Sequence, residues 1–171
     1  ADLGIGIEDG IEETPYGKCY VAAQDFPLAH QHGCVSLASL LAQPATLCSW
    51  LGKDECLRGM DFAATAFFDV ETTGLAGGVG TYAFLAGVGY FDGDYYRVRQ
   101  YFMRDPSEEP ALLYALNKLL SRFPNVVTFN GKCFDWPLIE TRYILSRQRL
   151  DVPDPAHLDL LHPARRFWRG R

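Results

Sequence analysis

Residues 63–104 alternate between apolar runs and short polar breaks, and the pattern defines three strands. "AATAFFDV" (63–70) is the first, "TYAFLAGVGYF" (81–91) the second and "DYYRVRQYFMR" (94–104) the third, the last two joined by the turn "DGD" at 92–94. The period then changes from two to nearly four. Leu112, Leu113, Leu116, Leu119 and Leu120 form a helical stripe, opened by Ser107 as cap, Glu108 and Glu109 in the first turn, and Pro110 where a missing N–H does no harm. Pro124 stops it. "NVVTFNG" (125–131) predicts a fourth strand, "WPLIETRYILSR" (136–147) a second helix with Pro137 near its start, and "AHLDLL" (156–161) a fifth strand. The order β-β-β-α-β-α-β suits an α/β domain with a mixed five-stranded sheet in the order 3-2-1-4-5. The helical crossover lays the fourth strand parallel to the first, which becomes central.

The N-terminal third is less regular. The first thirteen residues carry five acids and three glycines and read as a frayed lead-in. "GKCYVAAQDFPL" (17–28) predicts one extended segment, and "VSLASLLAQPATLCSWLG" (35–52) helical turns interrupted by Pro44 and ended by Gly52. Residues 1–60 are therefore expected to form an appendage, a strand plus helix partly flexible at 1–13, packed on a domain spanning 61–171.

At 171 residues and 48% hydrophobic composition, the chain suits one domain with a substantial core. No apolar run approaches the length of a membrane span and no signal-like leader opens the sequence, so a cytoplasmic protein without membrane contact is expected. The five cysteines, odd in number and without a Cys-x-x-Cys pair, point to free thiols rather than disulfides or a zinc ribbon. The net charge of −5 hides an asymmetry, because residues 132–171 hold 8 Lys or Arg against 5 Asp or Glu. Such a basic segment is either a footprint for nucleic acid or a solvated helix face.

The chemistry concentrates where the first strand ends. Residues i and i+2 of a strand share a face, so Asp69 and Glu71 project together while Phe68 and Val70 face the other way. Neighbouring carboxylates repel, which raises a pKa or calls for a cation, and no Lys or Arg lies within ten residues of Asp69. With the fourth strand beside the first, Asp135 in "TFNGKCFDWP" arrives at the same sheet edge. Taken singly, each of these acids reads as a solvated rim or a helix cap. Together they are the hard oxygen donors that Mg²⁺ or Mn²⁺ selects.

"FFDVETTGL" followed by "TFNGKCFDWP" resembles the first and second motifs of the DEDD-type 3′→5′ exonucleases, within the ribonuclease H-like superfamily. The run from Phe67 to about Trp168, with "GGVGTYAFLAGVG", "VRQYFMRDPSEE" and "HLDLLHPARRFW", is more similar still to the YprB-type ribonuclease H-like domain. The resemblance implies phosphodiester hydrolysis of DNA or RNA, at a single-stranded 3′ end, with two Mg²⁺ or Mn²⁺ ions. It implies that Asp69 bridges the ions, that Glu71 holds the one activating water, and that Asp135 places the other. It also implies substrate contacts from Thr72, Gly74 and Leu75. Asp159 in "HLDLL" matches the family's fifth-strand aspartate and is expected as a neighbour of the site. The family's third motif, a Tyr or His followed by a fourth Asp, has no counterpart up to Arg171, so residues 1–171 alone are expected to cleave little. The alternative is a non-catalytic nucleic-acid-binding or docking module on the same fold.

Weaker signals remain. "GLAGGVG" (74–80) leads into a strand and lacks a Lys-Ser/Thr ending, so it does not read as a nucleotide loop. Arg142 and Arg149, seven residues apart and so on one helical face, are expected with Lys132 beside the second motif to track phosphates, and Asn130 is expected to contact substrate. His30, His32 and Cys34 alternate as soft-metal ligands could, although Gly33 suggests a turn. Trp168 and Phe167 could stack on bases or pack in the core.

Overall fold

A computed structural model of the 171-residue chain describes residues 7–74, 80–152 and 154–169. The N-terminal segment contributes β1 (Ile7–Thr14) and β2 (Gly17–Pro27), the short hairpin β3 (Gln31–His32) and β4 (Val35–Ser36), and helices α1 (Ala38–Leu41) and α2 (Leu47–Gly52). The remainder is β5 (Thr65–Thr72), β6 (Ala83–Asp92), β7 (Tyr95–Phe102), α3 (Glu109–Leu120), β8 (Asn125–Thr128), α4 (Asp135–Leu145), β9 (Ala156–Asp159) and α5 (Leu161–Phe167). A seven-stranded sheet runs in the order β1-β2-β7-β6-β5-β8-β9.

The five expected strands are thus joined by two more. β1 pairs antiparallel with β2 from Ile7↔Gln24 to Thr14↔Gly17, and β2 pairs with β7 from Tyr20↔Phe102 to Pro27↔Tyr95. The segment read as a frayed lead-in forms an edge strand from Ile7 onward. An edge strand draws its order from its neighbour's free N–H and C=O groups more than from its own apolar pattern, so acids and glycines did not prevent it. Asp25 on β2 fixes this extension by accepting from Arg97 at 2.7 Å and Arg99 at 3.3 Å, both on β7.

The sheet is covered on both faces. Phe68 and Val70 of β5 point with Ala86, Val88 and Tyr90 of β6 into a core closed by α3 and α4. The apolar stripe of α3 is fully used, since Leu112, Leu113, Leu116, Leu119 and Leu120 are all buried. Each such side chain contributes roughly 1.5–3 kcal/mol of burial. The cap is Asp105, not Ser107. Its carboxylate accepts the Ser107 N–H and opens a 3-10 turn over Pro106–Glu108 that runs into the helix. Cys48, Leu57, Met60 and Phe62 of the N-terminal segment pack on the opposite face against Phe91, Val127 and Leu158. Among the described residues no helix is long and apolar enough to cross a membrane.

One ion pair lies inside the first core. The Arg142 guanidinium donates from Nε and one Nη to the two oxygens of Glu109, each at 2.6 Å, and stacks 4.1 Å over the ring of Tyr82. The contact with Glu109 holds the Arg142 pKa above its ordinary value. Arg142 is 4% exposed, so the expected role in tracking phosphates does not fit it. Nor does it share a helical face with Arg149, because α4 ends at Leu145 and Arg147 takes a left-handed φ of 54°. Removing one partner strands a buried charge, so Arg142→Ala should cost about 3–5 kcal/mol in urea unfolding. Replacing both residues together with apolar side chains of similar volume should cost clearly less.

Candidate functional site

β5 lies between an antiparallel and a parallel neighbour. β6 pairs with it through Asp69↔Gly87 and Glu71↔Leu85, and β8 runs parallel through Thr65↔Asn125, Ala66↔Val126 and Phe67↔Val127. β8 stops at Thr128, so Asp69 and Glu71 stand beyond it at the carboxyl edge of the sheet, the place where open α/β sheets receive ligands. Both acids are exposed, while Phe68 and Val70 between and before them are buried, as the strand period requires.

From β8 the chain turns through Phe129–Phe134 into α4. Asn130 adopts a left-handed φ of 67°, and Gly131 leaves no room for a side chain, since a Cβ there would lie 2.5 Å from the Cβ of Thr128. Asp159, at the end of β9 opposite Thr128, holds this turn. Its Oδ1 accepts the Asn130 N–H at 2.8 Å and the Leu161 N–H at 2.9 Å, and its Oδ2 accepts the Lys132 N–H at 3.1 Å. Burial would raise the Asp159 pKa, but these three backbone donors outweigh it and hold the group below its ordinary value. Asp159 is therefore an anionic clamp on the loop leading to Asp135, a role more specific than the neighbour expected from the sequence. The register pair Thr128↔Asp159 carries that information, and a one-dimensional pattern does not contain it.

Asp135 is the first residue of α4 and is 5% exposed. No side chain caps α4, whose N-cap residue is Phe134. Desolvation, then the charges of Asp69 and Asp159, and to a lesser degree Glu71, push the Asp135 pKa up to about 6. Asp69 keeps an exposed flank, yet desolvation of its carboxyl and the charge of Glu71 raise it too, against the lowering effect of the Val70 N–H. The structure thus brings Asp69, Glu71, Asp135 and Asp159 within electrostatic reach of one another. Among the described residues no Lys or Arg forms an ion pair with any of these four. Nor do any three His, Cys, Asp or Glu side chains there stand close enough together, as placed, to hold a metal ion. That includes His30, His32 and Cys34, which lie around the β3–β4 turn.

The expected substrate contacts fall into distinct places. Thr72 is half-buried and donates its hydroxyl to the Gly74 carbonyl at 3.0 Å, bending the chain after β5. Leu75 lies outside the described residues. Asn130 and Lys132 are both exposed, and Lys132 lines a cavity of about 610 Å³ with Trp136, Glu140 and His157. His157 meets the Thr128 hydroxyl at 2.8 Å, and burial together with Lys132 lowers its pKa to about 4, so it is neutral near pH 7.

A mixed sheet carrying uncompensated acids at its carboxyl edge, with helices on both faces, defines an α/β domain of the ribonuclease H-like type. A family model described as RNase H superfamily matches residues 66–170, and the chain belongs to that superfamily. It is also 38% identical, over 170 residues, to a Bacillus subtilis (strain 168) protein described as "Uncharacterized protein YprB". That match takes in 98% of this chain and 40% of the relative, so the chain spans well under half of that relative's length.

The raised Asp135 pKa has a measurable consequence. The folded protein holds this proton more tightly than the unfolded chain, so stability falls as pH rises from the ordinary value of 3.8 to about 6, and the penalty is complete above that. In chelating buffer near neutral pH, Asp135→Asn should stabilise the protein by about 1–3 kcal/mol in urea melts. The gain should shrink progressively as the pH is lowered below 6 toward 3.8.

Proposed function

We propose that this chain is the ribonuclease H-like part of a metal-dependent 3′→5′ exonuclease acting on DNA or RNA. The observation that carries the reading is the acidic group itself. Asp69, Glu71 and Asp135 stand at one sheet edge with no ion-paired cation among the described residues, and burial, then the neighbouring carboxylates, push Asp135 to about 6. Hard oxygen donors in that electrostatic state suit Mg²⁺ or Mn²⁺, and an ion held by these three residues would polarise a phosphodiester and acidify a water. The chain's own work is positional. β5 presents Asp69 and Glu71 on one face, and the Asp159 clamp sets the turn that delivers Asp135. Lys132 and Asn130, exposed on that turn, would meet the phosphates, and Thr72 and Gly74 bend the backbone beside the terminal nucleotide.

The similarity to DEDD-type enzymes calls for a fourth carboxylate, which residues 1–171 do not match. We therefore place hydrolysis in the longer protein, at a single-stranded 3′ end, and assign little cleavage to this chain alone. The absence of a tightly gathered ligand set among the described residues favours, as a second reading, a nucleic-acid-binding module that does not cleave. The five cysteines are all free, as a reducing compartment would keep them, and a cytoplasmic location belongs to the same proposal.

Calorimetric titration with Mn²⁺ and cleavage of 3′-labelled single-stranded DNA and RNA by the full-length protein test this reading. Two coupled sites and cleavage are expected. Asp69→Asn should reduce cleavage by more than the roughly 10–100-fold typical of outer-shell changes. Full-length protein that binds oligonucleotide but neither takes up Mn²⁺ nor cleaves would leave only the binding module.

A further inference from the structure

A wide cavity lies beside the acidic edge, not over it. It has a volume of about 990 Å³, and its walls include Phe129, His162, Arg165, Arg166, Trp168 and Arg169. None of its described lining residues is acidic, in a chain whose net charge is −5. Phe129 is 57% exposed and Trp168 is 61% exposed, far more than large rings usually are in a folded domain.

The wall is built and held. Arg166 donates to the Leu51 carbonyl of α2, and Phe167 lies 5.5 Å from Trp50, so α5 is fastened to the N-terminal segment by these two residues. Arg165 in α5 and Arg169 just past its end make no ion pair among the described residues. The opposite wall is Phe129, the residue immediately before Asn130, whose N–H the Asp159 clamp holds. The cavity and the acidic edge therefore share one loop.

We infer that this cavity is a subsite for single-stranded nucleic acid, with bases stacking on Trp168 and Phe129 and phosphates met by Arg165 and Arg169. Exposed rings suit single strands, whose base faces are open, whereas a duplex keeps its bases stacked and would offer only phosphates. The positive charge alone would accept any polyanion. Its pairing with two exposed rings selects an unpaired strand. The inference deepens the reading above and rests on it for the class of substrate, but it does not depend on metal or cleavage.

The test is fluorescence anisotropy with a labelled single-stranded oligonucleotide in EDTA, across a salt series, on the 171-residue chain. Arg165→Glu with Arg169→Glu should lower affinity about tenfold or more and flatten the logarithmic salt slope by about 1.4, the share of two phosphate contacts. Arg147→Glu with Arg149→Glu, an equal charge change elsewhere, should leave affinity within about twofold. Trp168→Ala should weaken binding about fivefold or more with the salt slope unchanged. Circular dichroism melts confirm that each variant is folded. The inference is overturned if both arginine pairs lose affinity equally, if a duplex of the same length binds more tightly, or if sedimentation shows that Arg165 and Arg169 serve self-association instead. The unmutated full-length protein, assayed with Mn²⁺, separates the two ideas. Retained site-selective binding by a full-length protein that does not cleave sinks the nuclease reading and leaves the subsite, while cleavage with indistinguishable arginine pairs does the reverse.

Discussion

Parallel hydrogen bonding between β5 and β8 is the constraint from which the site follows. Two strands that run the same way bring their carboxyl ends to one edge, and chain polarity then decides which side chains meet there. Asp69 and Glu71 leave the sheet from β5, while the turn after β8 carries the chain toward Asp135 over the same edge. An antiparallel arrangement of those two strands would send Asp135 to the far end of the sheet, more than one strand length away. The crossover through α3 enforces the parallel sense, so the leucine stripe of that helix takes part in placing the acids that it never touches.

Strand and helix identity was legible from period alone for the elements between Thr65 and Asp159, because each buries a face and its sequence shows it, whereas the run read as strand to Leu161 ends at Asp159 and Leu161 opens α5. Three things were not. β1 is ordered by pairing with β2, and nothing in its own acids and glycines announces a partner. Arg142 looks like a surface charge at helical spacing from Arg149, yet Glu109, thirty-three residues earlier, draws it inside. Asp159 is one aspartate among many until the register places it opposite Thr128. The last two depend on contacts about thirty residues away in sequence, which local pattern cannot contain, whereas β1 rests on its hairpin neighbour and not on an apolar pattern of its own. The acidic pair at the end of β5 was legible because i and i+2 geometry is local. The convergence of Asp135 on it required the fold.

Charge is partitioned with some economy. Several cations elsewhere in the domain are committed to acids: Arg142 to Glu109, Arg97 and Arg99 to Asp25, Lys118 to Glu12. Among the described residues the acids at the carboxyl edge are left without such partners, and burial together with mutual repulsion raises the Asp135 and Asp69 pKa values. A fold selected for stability alone would neutralise them with a nearby lysine or replace them with asparagine. Local electrostatic frustration of this kind is what functional sites keep and cores remove.

The fit of Gly131 against Thr128 limits how the loop can be altered over time. The nearest obstacle to a side chain at 131 is the Cβ of residue 128, so trimming the threonine to serine or alanine would not make room. Substitution is closed from both directions, and the hydroxyl of Thr128 is in any case engaged by His157. Diversification of this turn must therefore keep glycine at 131 and act at exposed neighbours such as Lys132 and Cys133, which can change what the loop offers without changing its path.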